Sequence, residues 1–308
     1  MEAEAYLKMA DTSREADIRG LNINKLATGF ADEVMVMKKF VRTAKTNARE
    51  LRWYKKTAGF LDSTDTTDIT ASQIQNTSFG SLPVVVEASW TRTTSYVRKY
   101  MVESPTFTIE DLKDNDVDVL ATNVRDLVKA VSNQVDIRIY NVISDTVTSV
   151  PADGSDVPSG AATADGWDDA DTGDPILDIL NAKESIRTYR YNPEGAVMAL
   201  HPGDYTSLIT YLINVKGSSI PGFSSEKVKS GVVHEILGVR VIVNTSFTED
   251  YAVLWLPSTT AVWKSFTPIT TATLYDPGIG KKIRVWEEGE CLLENPNSAY
   301  VISDIKVA

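Results

Sequence analysis

Between residues 111 and 146 the apolar residues Val117, Leu120, Val124, Leu127, Val131, Val135, Ile139 and Val142 recur three or four apart, uninterrupted by Pro or Gly. That spacing draws one apolar stripe along a helix. Asp111, Asp114 and Asp116 crowd its start, where negative charge complements the helix dipole. About 33 residues at roughly 1.5 Å each make a rod of about 50 Å. The mean helix has only about 11–12 residues. A chain organised around such a rod is expected to be elongated.

Upstream the period changes to two. Val84, Val86, Ala88 and Trp90 form one alternating run, and Tyr96, Arg98, Tyr100 and Val102 form another. Flanking Thr91–Ser95, they read as a long β-hairpin over about 82–104. A two-stranded ribbon is marginal alone in water, so it is expected to lie against something, with a neighbouring subunit the natural candidate. Before it, residues 38–56 carry eight bases (Lys38, Lys39, Arg42, Lys45, Arg49, Arg52, Lys55, Lys56) against one acid, Glu50. Val36, Phe40, Ala44, Ala48 and Leu51 recur at helical spacing beneath them, so a basic surface helix is expected, a solvated face or an arm that docks on an acidic neighbour or faces DNA. The Ser/Thr/Asp-rich stretch 61–80 reads as a linker.

Beyond the rod, residues 151–174 hold seven aspartates and no base and read as a mobile surface loop. A helix near 174–190, a short strand Ala196–Leu200, a His201-Pro202-Gly203-Asp204 turn and a helix with Tyr205, Leu208, Ile209 and Leu212 follow. Residues 216–231 read as a second loop, and strands are expected at Val239–Asn244, Ala252–Leu256, Ala261–Phe266, Ile283–Glu287 and Tyr300–Ile305. The class is α+β, without βαβ rhythm or repeat.

Catalytic chemistry finds little material. The two histidines, His201 and His234, sit in a strand-to-helix turn and at a loop edge, where solvated or capping roles fit them. The single cysteine, Cys291, cannot form an intramolecular disulfide or a cysteine-rich metal site, and reads as half-buried packing. Asp114, Asp116 and Asp118 alternate like a calcium loop, but Val119 and Arg125 stand where Gly and Glu are needed. Asp165, Asp168, Asp169, Asp171 and Asp174 could at most hold calcium loosely. Gly278-Ile279-Gly280-Lys281-Lys282 lacks phosphate-loop spacing and reads as a turn. No catalytic, cofactor-binding or metal residue is assigned, and an enzyme is not expected. No apolar run reaches the length of a membrane span, and the Met1–Tyr6 start does not resemble a secretory signal. A net charge of -11 disfavours broad binding to nucleic acid or anionic lipid, and by itself decides nothing further.

The order of these elements, with Ala196–Pro202, Ile236-Leu237-Gly238-Val239-Arg240-Val241-Ile242-Val243, Leu274-Tyr275-Asp276, Asn295-Pro296 and Ala299–Ile302, resembles the major capsid proteins of tailed bacteriophages. The resemblance covers about residues 30–308. It implies an N-terminal arm over 1–60, a linker and extended E-loop hairpin over 61–110, and a peripheral domain with spine helix and acidic loop over 111–173. An axial domain over 174–257 and a β-rich return over 258–308 complete it. It further implies self-assembly into an icosahedral shell of hexamers and pentamers around double-stranded DNA, with a portal and scaffold or decoration proteins as partners. The virion capsid, assembled in the host cytoplasm, would be its location. Expected interface residues are Trp90, Arg92, Tyr96, Arg98, Lys99 and Tyr100 on the hairpin and Arg42, Arg49 and Arg52 on the arm. Lys99 with Asn295 or Asn297 could supply a crosslink, but no matching glutamate is apparent. An encapsulin-like cellular compartment shares this fold and is the nearest alternative; a tail or adaptor protein is another.

Overall fold

The computed structural model describes residues 36–56, 78–82, 90–108, 119–163, 166–169, 173–214 and 235–306. The first 35 residues, the 216–231 loop, His234, Asp165, Asp171 and the aspartates at 111–118 lie outside them. In chain order the strands and helices are β1 (Arg42–Lys45), β2 (Glu50–Lys56), β3 (Trp90–Tyr96), β4 (Arg98–Glu103), β5 (Phe107–Thr108) and α1 (Val119–Ile143). Then come β6 (Ser159–Ala161), α2 (Pro175–Thr188), β7 (Val197–Leu200), α3 (Pro202–Asn214), β8 (Glu235–Ile236) and β9 (Val239–Val243). The chain closes with β10 (Tyr251–Trp255), β11 (Ala261–Asp276), β12 (Gly280–Leu293) and β13 (Ala299–Ser303).

These strands make two main sheets. One runs β1-β11-β12-β4, with β5 beside the far end of β12; the other runs β6-β13-β10-β7-β9-β8. The long antiparallel β11–β12 hairpin turns at Gly278, whose φ of +81° a side chain would disfavour. The expected turn is therefore present.

Helix α1 explains why its stripe is so long. Its first half packs Val124, Val128 and Val131 on Phe107, Ile283 and Val285 of the first sheet. Its second half packs Val135, Ile139, Tyr140 and Ile143 on Val253, Trp255, Trp263, Cys291 and Leu293, where the two sheets meet. One helix face thus serves two cores, and the rod is covered by its own subunit. The described part has 25 residues, about 37 Å at 1.5 Å per residue. It stops short of 146 because Asp145 turns left-handed, with φ of +53°. On the opposite face of the six-stranded sheet, α2 and α3 bury Ile179, Ala182, Ile186, Leu208 and Leu212 against Met198, Leu200 and Leu254. Asp174 caps α2 by accepting the N–H groups of Ile176 (3.2 Å) and Leu177 (3.3 Å).

Four expectations are corrected. The basic segment 38–56 is not a helix: a 3-10 turn (Met37–Phe40) leads into β1 and β2. Tertiary contacts override the weak helical period. Met37 and Val41 enter the core, and Asp136 of α1 accepts the N–H groups of Val36 (2.7 Å) and Lys38 (3.3 Å), capping the turn from a distant helix. Burial raises the Asp136 pKa, and those backbone donors and Lys38 oppose the rise.

The hairpin over 82–104 is also revised where it is described, its Val84, Val86 and Ala88 lying outside the described residues. Strands β3 and β4 follow each other with only Val97 between, in different sheets: β3 pairs antiparallel with β2, and β4 with β12. Alternation reports a strand but not its partner, and Thr91-Arg92-Thr93-Thr94-Ser95 contains none of the Gly, Pro, Asn or Asp that reverse a chain. The acidic 151–174 stretch is tied down where described, because Trp167 is buried and donates its indole N–H to Asp178 (2.8 Å), while β6 joins β13 in parallel. Cys291 is fully buried, not half-buried, and burial drives its thiol pKa upward.

Close packing at the sheet junction yields a prediction. A Cβ on Gly289 would lie 2.4 Å from Cζ2 of the fully buried Trp263 and 2.9 Å from the Lys264 carbonyl oxygen. Gly289→Ala is expected to destabilise the subunit by about 1–3 kcal/mol. A urea midpoint equal to wild type would contradict this.

Candidate assembly interface

Among the described strands, β2 and β3 pair only with each other, as a two-stranded ribbon outside both main sheets. Along β2, Leu51, Trp53 and Lys55 turn toward the body, while Glu50, Arg52 and Tyr54 are exposed. Three fastenings hold the inner face. Val97 N–H donates to the Arg49 carbonyl (2.9 Å) at the base, Trp53 Nε1 donates to the Leu293 carbonyl (2.8 Å), and Lys55 pairs with Asp156. Cross-strand register places Glu50 opposite Tyr96, Arg52 opposite Thr94 and Tyr54 opposite Arg92, so these six share the outer face. Tyr54 is 59% exposed and Tyr96 65%. Arg52 Nε reaches Glu50 Oε1 at 2.7 Å, and that hydrogen bond lowers the Glu50 pKa.

The expected interface residues therefore divide. Arg52, Arg92 and Tyr96 share the ribbon's outer face, and Trp90 begins β3 at the ribbon's far end, opposite Lys56. The others turn to their own subunit. Arg42 Nη2 binds both oxygens of Glu294 (3.0 and 3.2 Å), and Arg49 covers the Phe266 ring at 5.3 Å. Lys99 lies 3.4 Å from Glu288 and over Trp286, whereas Tyr100 packs in the core, where burial raises its phenol to about 12. Arg98 Nε sits 3.1 Å from Glu290 Oε2, an ion pair without hydrogen-bond geometry.

Sequence reasoning missed Tyr54, because 50–56 was read as helix; the alternation of Leu51, Trp53 and Lys55 was the available signal. It also missed a buried row of charge on β12. Glu287 and Glu290 are both fully buried; Lys38 pairs with the first, and Arg138 of α1 holds the second through Nε (2.9 Å) and Nη2 (2.6 Å). Among the described residues no three His, Cys, Asp or Glu side chains gather as metal ligands. His201 lies at the start of α3, where its Nδ1 accepts the Gly203 N–H at 3.3 Å.

The turn that follows α1 is the other feature of this surface. Asp153 accepts the N–H groups of Val147, Thr148 (2.6 Å) and Ser149 (2.9 Å), which hold its carboxyl down at about 2. A folded pKa below the unfolded value means the stabilisation is present above about pH 4 and fades as pH falls toward about 2. The Val147–Ser149 amide shifts should titrate with a midpoint near 2; a midpoint near 4 would refute the cap.

A family model described as phage capsid protein matches residues 106–290, more than half of the chain. The chain belongs to the phage capsid protein family. No curated protein matches it. Its fold is that of capsid shells. A virus-like particle from Pyrococcus furiosus superimposes with a TM-score of 0.62 at 11% identity, covering 93% of this chain and 100% of that one. The Mycobacterium phage Che8 structure gives 0.59 at 14% identity, covering 88% and 92% of the two chains. The capsid of a native GTA particle gives 0.63 at 8% identity, covering 88% and 90%. As a phage capsid protein, the chain is a structural subunit of the virion capsid, and its copies assemble with one another.

Proposed function

We propose that this capsid protein is the major shell subunit of a tailed phage, closing as hexamers and pentamers into an icosahedral container for double-stranded DNA. The observation that carries this reading is the ribbon: on a subunit of the capsid family, its outer face presents Tyr54, Tyr96, Arg52 and Arg92 with no cover from the described residues of its own chain. Heterologous contacts repeated around an axis close rings, and rings close shells. In this reading α1's first half and the β1-β11-β12-β4 sheet form the peripheral domain. The six-stranded sheet with α2 and α3 forms the axial domain, which β6 and β13 join from outside the 174–257 segment. The role is structural and not catalytic. A portal and scaffold or decoration proteins complete the particle, assembly occurs in the host cytoplasm, and the net charge of -11 favours storing DNA over binding it tightly.

The Pyrococcus furiosus virus-like particle has the same fold, so an encapsulin-like compartment is the second reading. Electron microscopy of the expressed protein tests the shared part: hollow closed shells are expected, and tubes or isolated rings would point to a tail or adaptor role. Particles purified from the native host decide between the two readings. Nuclease-protected DNA supports the virus; an enclosed enzyme supports the compartment.

A further inference from the structure

A groove of about 640 Å³ opens between α1, the loop after β9 and the start of α3. Small-molecule sites usually measure about 300–1,000 Å³. Lys129, Ala130 and Asn133 of α1 form one wall, off the stripe of Val128, Val131 and Val135 that the helix buries. Asn244, Thr245 and Ser246 form another, and Val36, Pro202 and Val243 add apolar surface. The polar walls are braced against each other. Ser246 Oγ donates to Asn133 Oδ1 (2.6 Å), Ser246 N–H donates to Asn244 Oδ1 (3.0 Å), and Asn244 N–H donates to the Leu200 carbonyl (3.3 Å). Each Asn thus engages its side-chain oxygen within the walls and keeps its amide NH₂ as a donor. Among the described residues, the Lys129 ammonium and the Thr245 hydroxyl join no hydrogen bond or ion pair, and no Asp or Glu lines the groove. The walls therefore hold a surplus of donors and one uncompensated cation.

We propose that this groove binds a phosphate group, with Lys129 supplying the charge and Asn133, Asn244 and Thr245 donating to the phosphate oxygens. A carboxylate offers two oxygens, whereas a phosphate offers three or four and so matches four donor groups. Hydrogen bonds between an ionised donor and a phosphate are among the strong ones, and Lys serves there as a point charge. The Asn donors are ordered by the brace before any ligand arrives, so little conformational entropy is lost on binding. Val36, Pro202 and Val243 give apolar contact to the sugar or base that carries a phosphate ester. Two sources present this chemistry: a free phosphate or mononucleotide, and the backbone of a nucleic acid. The net charge of -11 opposes a broad polyanion surface, and one local seat is compatible with it.

Calorimetric titration of the purified full chain at constant ionic strength tests it. The probes are inorganic phosphate, deoxyadenosine monophosphate and a short oligothymidylate without terminal phosphates. Saturable binding of at least one probe is expected. Lys129→Gln should weaken it by about tenfold or more, the usual effect of losing a hydrogen bond from a charged group. Lys129→Arg keeps the charge and should keep the binding. Neither variant should change the melting temperature, because Lys129 has no partner among the described residues to lose. Thr245→Val removes a donor without touching the charge and should weaken binding by a smaller factor. Tightest binding of the oligothymidylate, displaced by inorganic phosphate, would assign the seat to a nucleic-acid backbone. Binding of phosphate and the mononucleotide alone would assign it to a free anion. Absence of saturable binding by every probe would overturn the proposal, and so would binding that Lys129→Gln leaves at wild-type strength.

Discussion

Arg138→Met is expected to destabilise the subunit by about 3–5 kcal/mol, because it strands a buried carboxylate. Glu290 is fully buried, and among the described residues Arg138 donates to its Oε1 through Nε and Nη2. The remaining cation, Arg98, is more than half exposed and off hydrogen-bond geometry. The carboxylate's field is already felt nearby, since after burial it is the next cause raising Tyr100 and Cys291. Removing both partners behaves differently: Arg138→Met with Glu290→Leu takes this buried carboxylate away with its cation and should recover most of the loss. Urea unfolding of the two singles and the double completes the cycle. A loss below about 1 kcal/mol for Arg138→Met would show that Glu290 remains hydrated and that the row of charge on β12 contributes little.

The second large effect concerns assembly and not folding. Glu50 and Tyr96 are cross-strand partners, and Val97 N–H closes on Arg49 just below them. Residues 51–95 can therefore be replaced by Asn-Gly, a dipeptide suited to a two-residue reversal. Among the described residues both sheets and α1 stay in place, and the body gives up the Trp53 hydrogen bond, the Lys55–Asp156 pair and the Leu51 contact. The expected product is a folded subunit that melts within a few degrees of wild type and forms no shells. Normal shells from this variant would remove the ribbon from the assembly mechanism.

The parts of the fold that local periodicity dictates were legible. The α1 stripe, the α2 and α3 helices and β7, β9, β10 and β13 fell where spacing and turn residues placed them, whereas β11 and β12 run on well beyond the expected Ala261–Phe266 and Ile283–Glu287. Pairing was not legible, because a period of two is identical whether the partner is forty residues upstream, as for β3, or nearly two hundred downstream, as for β4. Segment 36–56 failed for a different reason. Its conformation is set by Asp136, Glu287 and the junction core, groups that are remote in sequence. The candidate interface was half legible. Arg52, Arg92 and Tyr96 were read as surface residues and share an outer face, but Arg42, Arg98 and Lys99 looked equally free and are matched to Glu294, Glu290 and Glu288. Charge counts along a chain cannot show which cations already have a partner.

The shared helix face has a mechanical consequence. Val131 and Val135 are successive positions of one α-helical row, yet the first is seated on one sheet and the second on the junction with the other. Sliding the sheets past each other would open voids along a close-packed row, which interiors resist strongly. The subunit should therefore move as a stiff plate, and any change in the curvature of a particle built from it must be taken up at the joints between plates.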